Sequence, residues 1–341
     1  MGRIILHIGT HKTGTTSLQK GLSRNREQLE ARGIYYPDYD LIGAKSHYAH
    51  IGIVNAFSKA HPDLSREQAE TFFAEVHRRS ADYDLTILSA EPFFRHVGFG
   101  ANGQPRKVPR NGEAYWVARN DYIRDVRDQF VGADVEIVMA VRRQVDYGMS
   151  LYQEHVKTSR YSGDFSTFRE TFWPRFDYLR QARAWREAFG AFRLLRFEDL
   201  VRQKDVLAAF GRAIDANLDD LLPAPFTNAA LPPDLVVWKR MMHMAQTSER
   251  TLRKQVDTLL SGPLAPLFAA LPKRSLYTSF EDMRAFHRQF EDANELLKRE
   301  FMPPDLQGTP MFSNDLREDY LFGDALHPEF LIHLAAHLAK L

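Results

Sequence analysis

The chain has 341 residues, 44% of them hydrophobic, and its 45 basic and 44 acidic side chains leave a formal charge of +1. That length can bury a substantial core in one large α/β domain or two modest ones, and the near balance of charge argues against a surface that coats nucleic acid. With no cysteine at all, disulfides, thiol nucleophiles and thiolate metal sites are excluded.

The first predicted element is a strand, Ile4 to Ile8. It runs into Gly9-Thr10-His11-Lys12-Thr13-Gly14-Thr15-Thr16, and a helical pattern follows from Ser17, with Leu18, Leu22 and Leu29 on one repeat and a stop at Gly33. Such a junction aims unpaired backbone N–H groups, the positive end of the helix dipole and nearby hydroxyls at one point, which suits an anion. Gly9 and Gly14 are spaced as in the phosphate loop of nucleotide hydrolases, but Thr15 follows Gly14 where a lysine is expected, and the lysine stands inside the loop as Lys12. This arrangement requires neither a triphosphate nor a metal. The bland alternative is a tight turn at the glycines with threonines capping a helix. No charged leader or apolar signal core precedes the strand, and no apolar run approaches the ~20 residues of a bilayer span, so a soluble, most simply cytoplasmic chain is expected.

Further along, Ile34 to Pro37 reads as a short strand, His47 to Lys59 as a helix, and Ser65-Arg66-Glu67-Gln68 as a capping box opening a helix to about Arg79. Leu85 to Ser89 is a compact apolar run consistent with a buried parallel strand, and it delivers Glu91 just past its carboxyl end, the edge where open α/β sheets bind ligands. Glu91 can equally cap a helix or pair with an arginine. Pro92 to Gly112 reads as a long loop, a substrate lid or a solvated insertion. A helix from about Glu113 to Phe130 leads to a strand, Val135 to Val141, ending in Arg142-Arg143, and Ser150 and Tyr152 lie on the next helix. An arginine at a strand end and a serine two turns into the following helix can reach one phosphate together. The last strand is Phe192 to Phe197, followed by Glu198-Asp199-Leu200 and a helix from about Lys204 to Ala216.

A proline-rich connection, Leu221 to Pro233, is the strongest candidate boundary, dividing an α/β core of residues 1–222 from a mostly helical part, 223–341, packed on the same domain. The helices predicted there are Asp234 to about Leu260, Ser279 to Phe301, and Pro328 to Leu341.

Lys12-Thr13-Gly14-Thr15-Thr16 resembles the 5′-phosphosulfate loop of the sulfotransferase family, whose Lys-Thr-Gly-Thr-Thr segment grips 3′-phosphoadenosine 5′-phosphosulfate (PAPS). Val141-Arg142-Arg143-Gln144 with Ser150-Leu151-Tyr152 resembles the family's 3′-phosphate site at the arginine, serine and tyrosine, with Gln144 in place of the usual proline. Phe197-Glu198-Asp199-Leu200 resembles its Tyr-Glu-Asp-Leu segment, and Phe226 to Pro233 resembles the post-sheet linker of bacterial members. The Arg-Lys-Gly-rich segment of the cytosolic animal enzymes is missing, which favours a bacterial or carbohydrate-type branch.

The resemblance implies a P-loop-like three-layer fold, with a central parallel sheet flanked by helices, and sulfuryl transfer from PAPS to a hydroxyl or amine of a carbohydrate or small molecule. PAPS is then the co-substrate, PAP the product, and no metal is expected. Lys12 neutralises the bridging oxygen, while Thr13, Gly14, Thr15, Thr16 and Ser17 hold the 5′-phosphate and Arg142 and Ser150 the 3′-phosphate. Glu91 is the first choice as base and His47 the second, with His50 behind it. Tyr35, Tyr36, Tyr39, Phe93, Phe94, Tyr115 and Trp116 suit either stacking on an acceptor or the core. The rival readings are a P-loop small-molecule kinase and a non-catalytic nucleotide-binding protein.

Overall fold

The computed structural model describes residues 2–58, 61–99, 106–203, 205–223, 231–262, 265–323 and 325–338. Residues group into two compact units: Met1–Arg142, Trp173–Thr227 and Asp292–Met311 in the first, and Arg143–Phe172, Asn228–Glu291 and Phe312–Leu341 in the second. This grouping crosses the break expected at 222/223, since 143–172 joins the second unit and 292–311 the first. Residues 100–105 of the expected lid and 224–230 of the proline-rich connection lie outside the described residues.

The first unit carries a five-stranded parallel sheet: β1 (Arg3–His7), β2 (Ile34–Tyr35), β3 (Leu85–Ser89), β4 (Asp134–Val141) and β5 (Ala191–Arg196). The spatial order is β2-β3-β1-β4-β5. Every residue of β3 is buried, as its compact, mostly apolar run predicts for a strand covered on both faces. On one face Ile5, Ile87, Val138 and Ala140 pack with Leu18 and Leu22 of helix α1 (Thr15–Arg24) and with Leu207 and Phe210 of the helix Val206–Ala213. The helix Tyr178–Phe189 packs on β4 and β5 and is joined by the helix Glu113–Asp128. The fold is therefore α/β, a parallel sheet flanked by helices. The chain leaving β1 crosses to the β2 edge, whereas the chain leaving β3 crosses towards β4, so the adjacent carboxyl ends of β1 and β3 form the topological switch point.

Several predicted helices are shorter or divided. The one expected from Ser17 to Arg32 breaks at Asn25, whose buried side chain donates to Gly21 O (2.7 Å) and Leu222 O (2.9 Å) and accepts from Leu222 N–H (3.0 Å). A tertiary contact here competes with the next helical turn, and a second helix, Arg26–Glu30, follows. The helix expected from His47 starts only at Ile51. The capping box is present, Ser65 and Gln68 exchanging bonds of 3.1 and 2.9 Å. Among the described residues four helices were not predicted at all, Phe165–Thr171, Tyr178–Phe189, Phe197–Arg202 and Ala265–Ala270.

The second unit is helical. The helix expected from Asp234 to Leu260 is two, Pro233–Met244 and Glu249–Ser261, because Gln246 takes a left-handed turn (φ 58°) and Ser248 caps the second by accepting from Thr251 N–H. The helix expected from Ser279 to Phe301 likewise divides into Phe280–Arg288, in this unit, and Glu291–Phe301. Arg169 is held by Asp282 at 3.1 Å and lies over the rings of Phe165, Tyr277 and Phe286, 4.8–5.3 Å from their centroids. Asp234 and Arg274 form a buried pair at 3.3 Å. Among the described residues no helix is long and apolar enough to cross a membrane.

Candidate active site

The loop after β1 is tied to the neighbouring strand before it turns. Ile8 N–H donates to Val138 O (2.9 Å), and Thr10 gives both its N–H (2.9 Å) and its hydroxyl (3.0 Å) to Ala140 O. The Thr13 hydroxyl donates to Thr10 O at 2.6 Å, closing the loop on itself. Lys12 and Gly14 both adopt left-handed backbone, φ 67° and 76°. Glycine does so freely, but a lysine there is held against its own sterics by the surrounding bonds. Helix α1 starts at Thr15 with Gly14 as its N-cap, with no side-chain cap and no acidic residue in its first turn. Thr16 and Ser17 are half-buried on that turn. An anion placed there meets first-turn N–H groups that no side chain has already taken.

Glu91 follows β3 by two residues and is buried, 5% exposed. The Thr15 hydroxyl donates to its Oε1, and the Gln19 amide donates to its Oε2 at 3.3 Å. Gln19 Nε2 also donates to Ser89 Oγ (3.1 Å), which bonds His7 Nδ1 at 2.8 Å. The β1–β3 register sets His7 opposite Ser89 and so builds this chain of contacts. Burial lowers His7 to a pKa of about 4, and the ring is neutral near pH 7.

His50 is buried too, and burial likewise lowers it to about 4. Its Nδ1 accepts from Ser89 N–H (3.0 Å), so Nε2 carries the proton and donates to Pro37 O (3.0 Å). Both ring nitrogens are thus used by the backbone. His47 is half-buried, with Nδ1 on the Ala49 backbone (2.7 Å to O) and its ring stacked on Tyr48 at 4.4 Å. Tyr48 is raised in pKa mainly by burial and then by the charge of Glu91. His47 also lines a cavity of about 610 Å³ with Lys45, Asn55, His61, Asp63 and Gln68.

Arg142 is half-buried at the end of β4. Its carbonyl accepts from Tyr178 Oη (2.8 Å), and its guanidinium lies 5.1 Å from the Phe197 ring centroid. A Cβ at Gly14 would meet Phe197 Cε2 at 3.5 Å, so one aromatic ring touches both the loop glycine and Arg142. Ser150, half-buried on the helix Gln144–Thr158, belongs to the second unit. Of the aromatics suited to stacking, Tyr36, Tyr39, Phe93, Phe94, Tyr115 and Trp116 are buried, 0–7% exposed, so they are core residues and not a platform. A cavity of about 720 Å³ lies beside β5, lined by Phe192, Arg196, Leu200 and Phe301, and none of the predicted site residues reaches it. Among the described residues no group of three or more His, Cys, Asp or Glu is placed to hold a metal.

Sequence reasoning missed Gln19 and Ser89. A signal existed: Thr15, Leu18, Gln19 and Leu22 make the buried face of α1, and the polar pair at i, i+4 interrupts an otherwise apolar stripe.

No family model matches the sequence, and no curated protein matches it. Among solved structures, that of a sulfotransferase from Alicyclobacillus acidocaldarius is similar at 16% identity, covering 73% of this chain and 98% of that chain, with a TM-score of 0.38. A likeness that faint leaves the functional reading to rest on the site itself.

Proposed function

We propose that the protein is a PAPS-dependent sulfotransferase acting on a hydroxyl or amine of a carbohydrate or small molecule. The observation that carries the reading is that Glu91 meets the first turn of the helix that follows the lysine-bearing loop, which puts an anion cradle and a carboxylate base at one point. The residues present fit a phosphosulfate: two left-handed positions curl the loop, α1 is uncapped, and the Lys12-Thr13-Gly14-Thr15-Thr16 pattern matches throughout.

When bound, PAPS supplies the sulfuryl group and leaves as PAP. Glu91 takes the proton from the acceptor oxygen or nitrogen as the new bond to sulfur forms. Lys12 neutralises the charge that builds on the bridging oxygen as the old sulfur–oxygen bond breaks. Backbone N–H groups of residues 13–16 and the hydroxyls of Thr16 and Ser17 hold the 5′-phosphate, the Ser17 N–H being taken by Gly14 O. Thr13 and Thr15 are assigned to the same phosphate through their backbones, since their hydroxyls serve the loop and Glu91. Arg142 binds the 3′-phosphate, and Ser150 is assigned there on sequence spacing alone. The sulfuryl group carries less charge than a transferring phosphoryl group, so a lysine suffices where kinases use magnesium.

Calorimetric titration of the wild type and Arg142→Ala with PAP, and separately with ATP and magnesium, tests the reading. Metal-free PAP binding that the substitution abolishes is the expected result. Binding of ATP–magnesium alone overturns it in favour of a kinase, and binding of neither leaves a non-catalytic protein.

A further inference from the structure

Resting on the sulfuryl-transfer reading, we infer that Gln19 is a positioning residue that aims the Glu91 carboxylate at the acceptor. Gln19 is fully buried on the inner face of α1, among Leu18 and Leu22. Its Nε2 faces three acceptors, Glu91 Oε2 at 3.3 Å, Ser89 Oγ at 3.1 Å and Ser89 O at 3.4 Å. A carboxylate and a carbonyl can only accept, so the amide orientation is set: the NH₂ group must point this way. Among the described residues its Oε1 has no hydrogen-bond partner. A buried amide with one orphaned oxygen is a poor choice for packing, whereas its donor is well placed for holding a carboxylate.

With Thr15 on Oε1 and Gln19 on Oε2, both oxygens of Glu91 are gripped from one helix, four residues apart on one face. That grip fixes the plane of the carboxylate relative to the loop that holds the donor. Behind Gln19, Ser89 and His7 complete the chain of contacts and hold the amide in turn. Loss of the Gln19 donor leaves Glu91 tethered on one oxygen and free to turn.

The test is turnover of radiolabelled PAPS with water as acceptor, measured as sulfate release, for the wild type, Gln19→Met, Glu91→Gln and the double variant. PAP affinity is followed by calorimetry. Gln19→Met is expected to lower kcat by about 10²-fold, the cost of a misplaced catalytic group, with KM for PAPS and PAP affinity unchanged. In the Glu91→Gln background it should cost nothing further, since a positioning residue acts only through the group it positions. A Gln19→Leu variant repeats the comparison should Gln19→Met fail to fold. Additive losses in the double variant, a loss confined to KM, or no loss at all would each overturn the inference while leaving the sulfotransferase reading intact. A wild type that neither binds PAP nor releases sulfate sinks that reading and the role of Gln19 with it.

Discussion

Replacing Lys12 by glycine and, in parallel, by alanine separates the chemistry of the loop from its backbone. Both variants lose the ammonium group and every contact it makes, so they differ only at the Cα. Lys12 sits at φ 67°, where an L-residue with a Cβ costs about 1–2 kcal/mol relative to the right-handed region, a cost glycine does not carry. Glycine loses about 0.4–1 kcal/mol more chain entropy on folding, which offsets part of that gain. The balance leaves Lys12→Gly about 0.5–1 kcal/mol more stable than Lys12→Ala, the reverse of the usual order for these residues. Urea unfolding followed by tryptophan fluorescence reads this directly. Trp116, Trp173 and Trp185 all belong to the unit that carries the loop, and Trp185 is fully buried. Equal m-values with a higher midpoint for the glycine variant are expected. If the alanine variant matches or exceeds it, the left-handed conformation at residue 12 is not maintained in solution, and the cradle is not shaped in advance of its ligand.

Glu91→Gln should lower turnover by about 10²–10⁴-fold with PAP affinity retained, whereas His47→Ala should leave turnover nearly unchanged; the opposite pattern in steady-state kinetics makes His47 the base. Stability should depend on pH through the two buried histidines. Both are held at about 4 when folded, against an ordinary 6.5, so the unfolded chain binds more protons between those values and stability rises with pH across that window. Between pH 7 and 5 each ring accounts for a loss of about 2 kcal/mol, measurable by urea unfolding, and His50→Gln should remove about half of the slope. Asn25→Ala strips the N–H and C=O of Leu222 of their side-chain partner and should cost about 2–3 kcal/mol, whereas a loss below about 0.5 kcal/mol would mean that water replaces the amide there.

What the sequence made legible is what short-range chemistry dictates. The strand, the two glycines, the loop lysine and the helix start lie within twenty residues, so the spacing alone announces the strand–loop–helix junction. β3 was readable to the residue because a strand covered on both faces shows as a short, mostly apolar run bounded by polar residues. The helix interruptions were not, because periodicity continues through them. Asn25 ends a helix by bonding residue 222, and no local pattern announces a partner 197 residues away. The aromatic residues stayed open between acceptor stacking and core for a similar reason, since composition gives an aromatic side chain but only packing says whether its face is open.

The contacts of Glu91 are the strongest case. The carboxylate lies 76 residues beyond Thr15 and 72 beyond Gln19, and the three meet only because β1 and β3 are neighbours in register. That adjacency also gives the arrangement its mechanical sense. On the proposed reading the anion site is built from the first turn of α1, and the grip on the Glu91 carboxylate comes from the same turn and the next. The proposed donor cradle and the proposed base are then referred to one helix, so their separation is set by the 1.5 Å rise per residue of an α-helix and not by loop closure. A substitution that unwinds the first turn of α1 should disturb binding and turnover together, while one at Gln19 should disturb turnover alone.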